Sequence, residues 1–450
     1  MIGSKRLLAL LGALSLSALS MWTAAPQAAA QTSATPVAAI QYDYDALFQQ
    51  MFRDPSNLEI SFKFAEQAAA RGDYEAAIGA LERMLFFNPN LPRVKLELGV
   101  LYFKLGSYDL ARSYLQDAIK GSGVPDDIRA QVNAYLAEIV RRQSPYEFAG
   151  FAQFGGRWQS NANIGPDSLL VRAIGQDAIL NNQFARAPDW NLFELAALQY
   201  IHKLNKRGDT FELTLTGYAS QQQKFKQFDL SLVEMLVGPR IAITSDTSIK
   251  LYGIGNYVAL GGARYFESLG GGVSLRTPLA GFGLAEAYVE RRHRSFYDSI
   301  NFPTASEQTG NILTAALNTD LRFGFVRWTT RLAFDRNEAK GLFDYNSYSR
   351  YSADIGLPFE FSVPFAGTQR QVIITPTAGF SDTRYDMPNF IVDPFVTRHD
   401  REVRVGGIFD VQLYQNYGLR TQVMQTWIDS NLPNFTMKNL SVAIGPTARF

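Results

Sequence analysis

From Glu147 to Phe450, apolar and polar side chains alternate in one stretch after another, and this period of two is the strongest constraint on the fold. In the stretch TFELTLTGYAS, which starts at Thr210, every second residue is apolar or small, and the residues between are Glu, Thr, Thr and Tyr. Successive side chains of a β-strand point to opposite faces of the sheet. The alternation therefore predicts strands with two unlike faces.

About fourteen such stretches follow one another, and most of them run for roughly 10 to 14 residues. They begin near Glu147, Asn191, Thr210, Phe228, Ser248, Arg264, Phe282, Asn311, Phe325, Ser349, Gln371, Asp400, Tyr417 and Met437. Tilted strands of this length cross a bilayer, and an even number of strands closes a barrel with both ends on one side. The connections after even strands are short, whereas those spanning 159–190, 297–310 and 385–399 are long, an asymmetry typical of outer-membrane barrels.

A soluble β-sandwich or propeller is the alternative interpretation. Three features disfavour it: the strands are long, charges occur at mid-strand on one face only, and aromatic residues recur near strand ends, as in a membrane-interface girdle. These aromatic residues are Trp158, Tyr200, Tyr257, Phe296, Tyr351, Phe380, Tyr414 and Trp427. We therefore predict an α+β multidomain chain whose residues 147–450 form an antiparallel transmembrane β-barrel of about 14 strands.

The last strand must pair with the first, because unpaired backbone groups in lipid cost several kcal/mol each. The sequence ends SVAIGPTARF, and the aromatic Phe450 on an alternating strand resembles the signal that the outer-membrane barrel assembly machinery recognises. Pro446 departs from that pattern, since proline offers no N–H to a ladder and is expected at an edge or a bulge.

Residues 43–144 follow a helical period and repeat at an offset of 34 residues. Gly72, Tyr74, Ala77 and Leu81 align in this way with Gly106, Tyr108, Ala111 and Leu115, and Ala65 aligns with Gly99. This pattern resembles the tetratricopeptide repeat, a helix-turn-helix unit. The unit is expected either to serve as a plain scaffold or to hold a peptide or protein on its concave surface.

The first 30 residues predict a cleaved export signal, followed by a linker over 31–42. Lys5 and Arg6 precede an apolar run from Leu7 to Trp22, and small residues surround Ala30. A membrane anchor is the alternative, but this run is shorter than the roughly 20 residues that span a bilayer. The export signal and the barrel together predict an outer-membrane protein of a Gram-negative cell. Because the helical domain precedes the barrel at its short-turn side, we expect this domain to lie in the periplasm.

The polar face of the strands carries charges of both signs, which we expect to line a wet lumen. The candidate lining residues are Arg157, Glu212, Glu290, Arg292, Arg327, Arg331, Asp335, Asp354, Glu360, Arg404, Asp410 and Arg420. The densest charge cluster, YVERRHRSFYD from Tyr288, fits either a basic ladder in the lumen or a strand end facing lipopolysaccharide phosphates.

Nothing in the sequence favours catalysis, a cofactor or a metal site built from histidine or cysteine. Cysteine is absent and only three histidines occur, so thiolate chemistry and histidine clusters are excluded. His293 and Ser295 share a strand face, but no carboxylate completes a triad. The net charge of +1 gives no attraction to nucleic acid.

The first long loop contains a turn rich in oxygen donors, for which we expect a plug or gate across the lumen and, as an alternative, a calcium site. Its candidate residues are Ser160, Asn161, Asn163, Gly165, Pro166 and Asp167.

The layout and the segments QSNANIGP and SNLPNF…VAIGPTARF resemble the surface lipoprotein assembly modifiers, the Slam proteins. The resemblance implies a helical domain that captures a client protein or lipoprotein and a barrel that passes or inserts it at the cell surface. The expected partners are then a client, outer-membrane lipid and lipopolysaccharide, and the barrel assembly machinery. Exopolysaccharide export and a plain porin or adhesin remain as alternatives.

Overall fold

The computed structural model describes residues 44–54, 57–120, 124–279, 281–324, 326–365 and 368–450. The predicted export signal and linker lie outside these residues. The chain divides into two compact units, one containing the helices and one containing the strands from Tyr146 onward.

The helical unit has six described helices. They are α1 (Tyr44–Arg53), α2 (Leu58–Ala70), α3 (Tyr74–Phe87), α4 (Pro92–Lys104), α5 (Tyr108–Ala118) and α6 (Asp126–Gln143). Asn57 and Asp73 cap α2 and α3 by accepting a bond from a first-turn backbone N–H. Gly72 and Gly106 follow α2 and α4 at φ values of 84° and 75°, which only glycine adopts without strain.

The repeat residues predicted from the sequence form the contacts between these helices. Ala77, Leu81, Ala111 and Leu115 are buried, each at 2% exposure or less. A Cβ on Gly99 would lie 2.5 Å from the Leu115 Cγ, so the small residue lets α4 and α5 approach closely. The predicted tetratricopeptide architecture is confirmed. None of the helices in the described ranges has the length and apolar content needed to cross a membrane.

The second unit is built from strands. Their bounds are β1 (Tyr146–Gln159), β2 (Leu170–Ala173), β3 (Gln176–Ile179), β4 (Asp189–Lys203), β5 (Thr210–Gln222), β6 (Leu230–Ala242), β7 (Ser248–Leu260), β8 (Ala263–Leu279), β9 (Gly283–Phe296), β10 (Gly310–Phe323), β11 (Val326–Ala339), β12 (Tyr348–Gly356), β13 (Phe359–Phe365), β14 (Thr368–Tyr385), β15 (His399–Tyr414), β16 (Tyr417–Ser430) and β17 (Met437–Arg449).

Fifteen of these strands, all but β2 and β3, form one antiparallel sheet, in which β1 pairs with β4 on one side and with the last strand, β17, on the other. Segments β12 and β13 both pair with β14, so they are two parts of one barrel strand, and the closed barrel has fourteen strands. The prediction of an antiparallel barrel of about 14 strands is confirmed. The sequence did not reveal the hairpin β2–β3 or the break between β12 and β13, where Pro358 supplies no ladder donor.

Pro446 lies within the closing ladder and does not shift it. β1 and β17 pair at Gln153↔Thr447 and again at Gly156↔Ile444. The two residue pairs between these points are not matched, but the alignment of the strands is the same on both sides of them. The expected bulge is therefore wrong: the proline removes one donor, and the strands keep their register around it.

Two glycines let β1 and β17 approach closely beside this point. A Cβ on Gly155 would lie 2.1 Å from the Ile444 carbonyl oxygen, and one on Gly445 would lie 1.9 Å from the Phe154 oxygen. Neither position therefore has room for a side chain.

Phe450 extends the same ladder by one residue. Its N–H donates to the Gly150 oxygen at 3.1 Å, and the Gly150 N–H donates to the Phe450 oxygen at 2.8 Å. The Phe450 ring covers Gly150, where an added Cβ would lie 2.1 Å from a ring carbon. The aromatic residue thus takes part in closure directly, and its role as an assembly signal stays a prediction.

The two rims differ. Connections at one rim are short, as at 204–209, 243–247 and 415–416, whereas the other rim has long connections at 160–188, 297–309 and 386–398. The chain enters β1 at the rim with short turns. The shortest connection at the long-loop rim is Gly261–Gly262, both at positive φ, the backbone that a two-residue hairpin requires.

The two faces of the barrel wall also differ. The outer face carries exposed apolar side chains at mid-strand: Leu198, Met235, Val289, Leu332, Val405 and Val423. Most of the predicted girdle residues are exposed there as well, but Phe296 is buried at 4% exposure and packs with inner-face residues. Its assignment to the girdle is wrong because it lies on the same alternation as Glu290 and Arg292.

Candidate functional site: the barrel lumen and its mouth

Side chains of the polar face meet across strands that are not neighbours. Arg292 on β9 contacts Glu234 on β6 at 2.8 Å, and Arg240 on β6 contacts Glu286 on β9 at 3.2 Å. Neighbouring strands are about 4.8 Å apart. Because β6 and β9 are separated by three such spacings, their side chains can meet only on the concave side of a curved sheet. The polar face is therefore the inside of the barrel.

All twelve predicted lining residues make a side-chain hydrogen bond or ion pair on this face. Their positions are Arg157 on β1; Glu212 on β5; Glu290 and Arg292 on β9; Arg327, Arg331 and Asp335 on β11; Asp354 on β12; Glu360 on β13; Arg404 and Asp410 on β15; and Arg420 on β16. The structure gathers most of them into separate groups.

The first group surrounds Glu212 near the short-turn rim. Its carboxylate accepts from Arg240 at 2.7 Å and from Lys250 at 3.0 Å, and all three residues are less than 10% exposed. Arg240 and Arg276 both reach Glu286, the latter at 2.9 Å. Three cations and two carboxylates therefore leave this group with one net positive charge.

The second group lies farther along the same strands. Arg292 bridges Glu234 and Glu290, and the hydroxyl of Tyr252 donates to Glu290 at 3.1 Å. Glu234 is 3% exposed and Asn256 donates to it at 3.4 Å. Two carboxylates share one guanidinium, so this group carries a net negative charge and compensates the first.

On the opposite part of the wall the pairs are smaller. Arg404 joins Asp354 at 2.7 Å, and Arg420 joins Asp410 at 2.7 Å with two parallel N–H donors. Bidentate pairs of this kind hold both side chains in one geometry. The lumen is therefore lined by fixed, nearly neutral charge groups rather than by a field of one sign.

Sequence reasoning missed several partners in these groups. They are Glu234, Arg240, Lys250, Arg276, Glu286, Asp320 and Glu402. Each one falls on the inner alternation of its strand, and that parity is the signal that would have found them.

The predicted plug loop is an ordered turn at the long-loop rim. The Asn161 side chain donates to the Gly165 oxygen and accepts from the Gly165 N–H, both at 2.8 Å. Asn163 bonds the backbone of Ala185 and Ala187 in the same manner, at 2.6 and 2.7 Å. These amide bonds fix the loop, and Ile164 between them takes a positive φ of 57°.

Ile164 packs into an apolar cluster at the barrel mouth. The cluster joins inner-face residues Val258 and Tyr265 to Phe302 of the 297–309 loop, all at 2% exposure or less. Two long loops therefore fold onto the inner wall at this rim. Whether they move as a gate stays a prediction.

The hairpin β2–β3 connects the remaining mouth loops. Arg172 donates to Asp393 at 3.0 Å, and its backbone exchanges two bonds with the Asn434 side chain at 2.8 and 2.9 Å. The backbone N–H of Phe395 holds the pKa of Asp393 below its usual range, and Arg172 adds to this effect. The mouth is thus tied together by polar contacts between loops far apart in sequence.

Within the described residues, no group of three or more histidine, cysteine, aspartate or glutamate side chains is placed to hold a metal. The structure also does not join His293 to Ser295, since the His293 Nδ1 lies 3.0 Å from the Asn311 side-chain oxygen instead.

Comparison with known proteins bears on the helical unit first. The family model for the tetratricopeptide repeat matches residues 68–122. This chain carries tetratricopeptide repeats. No curated protein matches it.

Solved structures give only distant similarity. The type III secretion chaperone SycD of Yersinia enterocolitica, in complex with a peptide of the translocator YopD, is 16% identical over 22% of this chain and 79% of that chain, with a TM-score of 0.21. OprB of Pseudomonas putida is 8% identical over 71% of this chain and 97% of that chain, with a TM-score of 0.33. An anion-selective porin from Comamonas acidovorans is 8% identical over 68% and 99%, with a TM-score of 0.32. The barrel assignment rests on the strand pairing described above.

Proposed function

We propose that this protein is an outer-membrane assembly or export factor, in which the tetratricopeptide unit holds a client protein and the barrel passes it or inserts it at the cell surface. The observation that carries the proposal is the presence of a client-binding type of repeat and a closed barrel with an apolar outer face in one chain. Diffusion through a barrel does not by itself require such a unit.

Membrane location is supported by the outer face of the barrel. Large apolar side chains such as Leu198, Leu332 and Val405 are each more than 40% exposed at mid-strand, which in water would be an unusually extensive apolar surface. Such a face is stable against acyl chains. The chain enters β1 at the rim with short turns, and in outer-membrane barrels this rim faces the periplasm. This supports a periplasmic location for the helices.

Client binding is supported by apolar side chains that the helical unit leaves exposed. Phe86 is 83% and Phe87 50% exposed at the end of α3, where their rings meet edge to face at 5.6 Å. Phe52 at the end of α1 is 67% exposed. Exposed aromatic rings are the side chains that most often anchor protein–protein contacts.

The proposal is tested by replacing the chromosomal copy with a version lacking residues 44–144 and treating intact cells with protease. We expect particular surface proteins to become protected from cleavage while their total amounts persist. The Phe86→Ala, Phe87→Ala double variant should reproduce part of this effect. As a control, Leu110→Ala removes an apolar side chain that is as exposed as Phe87, at 50%, elsewhere in the unit. An unchanged surface proteome, with the truncated barrel correctly folded in the outer membrane, would contradict the proposal.

The lumen favours a second candidate, a conduit for small hydrophilic solutes. Its charge groups are fixed and nearly balanced, as in a wet pore without strong selectivity. This candidate predicts that deletion changes uptake of small solutes and leaves surface proteins in place. A role in polysaccharide export predicts instead the loss of extracellular glycan in the same deletion strain.

A further inference from the structure

The charge cluster YVERRHRSFYD divides between the two faces of β9. Glu290 and Arg292 pair with each other inside the barrel. Successive side chains of a strand point to opposite faces, so Arg291 and His293 point outward. The cluster is therefore not a single ladder in the lumen, because Arg291 lies on the face that meets lipid.

Arg291 lies where the apolar part of the outer face ends. On β9 the next outward residue toward the short-turn rim is Val289, and the next one toward the long-loop rim is His293. On β11 the same change occurs between Phe334 and Arg336. In outer-membrane barrels the apolar band extends to the level of the lipid headgroups. Arg291 is therefore placed at the depth of the headgroups on the long-loop side.

The charge of Arg291 has no counter-charge on the protein. The residue is exposed, and no carboxylate of the described residues pairs with it. The nearby carboxylates have arginines of their own, since Glu267 lies 2.5 Å from Arg264 and Glu338 lies 3.7 Å from Arg336. The planar guanidinium of arginine matches the oxygens of a phosphate, which accept two of its N–H groups together. Arg291 thus offers a free phosphate-binding group to the lipid.

Beside Arg291 the outer wall has a depression without side chains. Gly271 on β8 is the neighbour of Arg291 in the ladder, and Gly253 on β7 is the neighbour of Gly271. Within 4 Å, a Cβ on Gly253 would meet only a backbone oxygen at 3.9 Å, and one on Gly271 would meet only the backbone oxygen of Tyr252 at 3.0 Å. No described side chain therefore covers these two positions.

Apolar side chains border this depression. Leu251 and Val273 lie toward the short-turn rim at 52% and 42% exposure, and Leu269 lies toward the long-loop rim at 76%. Met235 on β6 is exposed at 46% on a further side. A flexible hydrocarbon chain laid over the two glycines would contact these side chains and gain dispersion energy from them.

The depression lies deeper in the membrane than Arg291. The ladder row that joins Arg291, Gly271 and Gly253 continues through Val237, Leu213 and Tyr200 to Phe148. Arg291 is near the long-loop end of β9, whereas Phe148 is near the short-turn end of β1. The row therefore descends from β9 toward β1. A lipid whose phosphate contacts Arg291 would direct its acyl chains toward the glycines.

We propose that Arg291 and this depression bind one molecule of lipopolysaccharide. A phosphate of its lipid A accepts from the Arg291 guanidinium, and one of its acyl chains lies over Gly271 and Gly253. The long-loop rim of an outer-membrane barrel faces the cell exterior, so the lipid that meets Arg291 is the phosphorylated glycolipid of the outer leaflet. The proposal needs only the membrane location of the barrel, and it would stand if the client role proposed above failed.

The test is native mass spectrometry of the full-length protein in detergent, with diphosphoryl lipid A as the probe and phosphatidylglycerol as the competitor. We expect Arg291→Gln to weaken lipid A binding by about tenfold, the loss typical of a charge-assisted hydrogen bond. Arg291→Lys should retain part of the binding. Arg401→Gln is the matched control, because Arg401 is an exposed outward arginine that lies between Asp382 and Asp429 in the ladder. It should bind lipid A as the parent does.

A second variant tests the depression without changing the charge. Gly253→Leu places a side chain where the acyl chain would lie, and we expect binding to weaken by about threefold or more through lost packing contacts. Gly217→Leu is its matched control, since Gly217 is an outward glycine of β5 whose Cβ would meet nothing within 4 Å. Folding of each variant is checked by its shifted mobility in unheated gels.

Three outcomes would overturn the proposal. The first is that the parent, Arg291→Gln and Gly253→Leu bind lipid A equally, or that none of them binds it. The second is that Arg401→Gln and Gly217→Leu weaken binding as much as the two site variants. The third is that phosphatidylglycerol displaces lipid A at equal concentration, which would assign the site to phospholipid.

Discussion

A single methyl group at Gly155 should weaken the closure of the barrel. The Cβ of Gly155→Ala would lie 2.1 Å from the Ile444 oxygen, while real Cβ atoms keep at least 3.0 Å, so β1 and β17 must separate by 0.9 Å at this point (3.0 − 2.1). A ladder bond of about 2.9 Å lengthened by that amount is no longer a hydrogen bond. If one flanking bond is lost and its donor and acceptor are left unpaired, at about 1–3 kcal/mol for each group, the free energy of unfolding falls by about 2–6 kcal/mol.

The assay is guanidinium unfolding of the protein in lipid vesicles, followed by tryptophan fluorescence, since Trp158 lies on β1 opposite Val442 of β17. Gly156→Ala is the matched control, because its Cβ meets no atom within 4 Å, and we expect it to match the parent or exceed it slightly. Equal unfolding midpoints for the two variants would refute the inference that glycine is required for the close approach at this seam.

Three further outcomes follow from the described contacts. Gly99→Ala should destabilise the helical unit by about 1–3 kcal/mol through overpacking, whereas Gly79→Ala, whose Cβ meets nothing within 4 Å, should stabilise it by up to about 1 kcal/mol; the helical signal of the full chain on heating measures both. Arg141 lowers the pKa of Glu138 from 4.5 to about 2, so the stability that this carboxylate contributes is present above pH 4.5 and lost as the pH falls toward 2. Glu138→Gln should remove that pH dependence at a cost of no more than about 1 kcal/mol at pH 7, because the pair is partly exposed; acid titration of the helical signal checks it. Arg292→Met should leave two buried glutamates unpaired, lower the free energy of unfolding by about 3–5 kcal/mol and raise the cation preference of any lumen current in a planar bilayer.

Alternation and the offset of 34 residues were enough to predict the large features. Each predicted strand lies within a few residues of an observed one. One face of each strand is apolar and the other lines the wet lumen, so apolar and polar side chains alternate along its whole length. The same parity places Arg292 and Asp410 on the inside. The helical unit was predictable because Gly72 and Gly106 mark equivalent turns.

The ion pairs between strands that are not neighbours in the barrel were not predictable in this way. Glu234 stands in the apolar stretch SLVEML, and its partner Arg292 is 58 residues farther along, so only the curvature of the wall shows that they meet. The hairpin β2–β3 is four residues per strand, too short for a period to be visible. Pro446 was misjudged because loss of one donor does not force a shift when both neighbouring strands hold the register.

The pairing of β1 with β17 sets the order of events in biogenesis. Gln159 meets Ser441, so almost the whole barrel sequence must be present before the cylinder can shut. Until then the sheet has two open edges, each able to add strands from another chain. The free edge of β1 is therefore the part of the unfinished sheet that stays open longest to pairing with a strand of another chain.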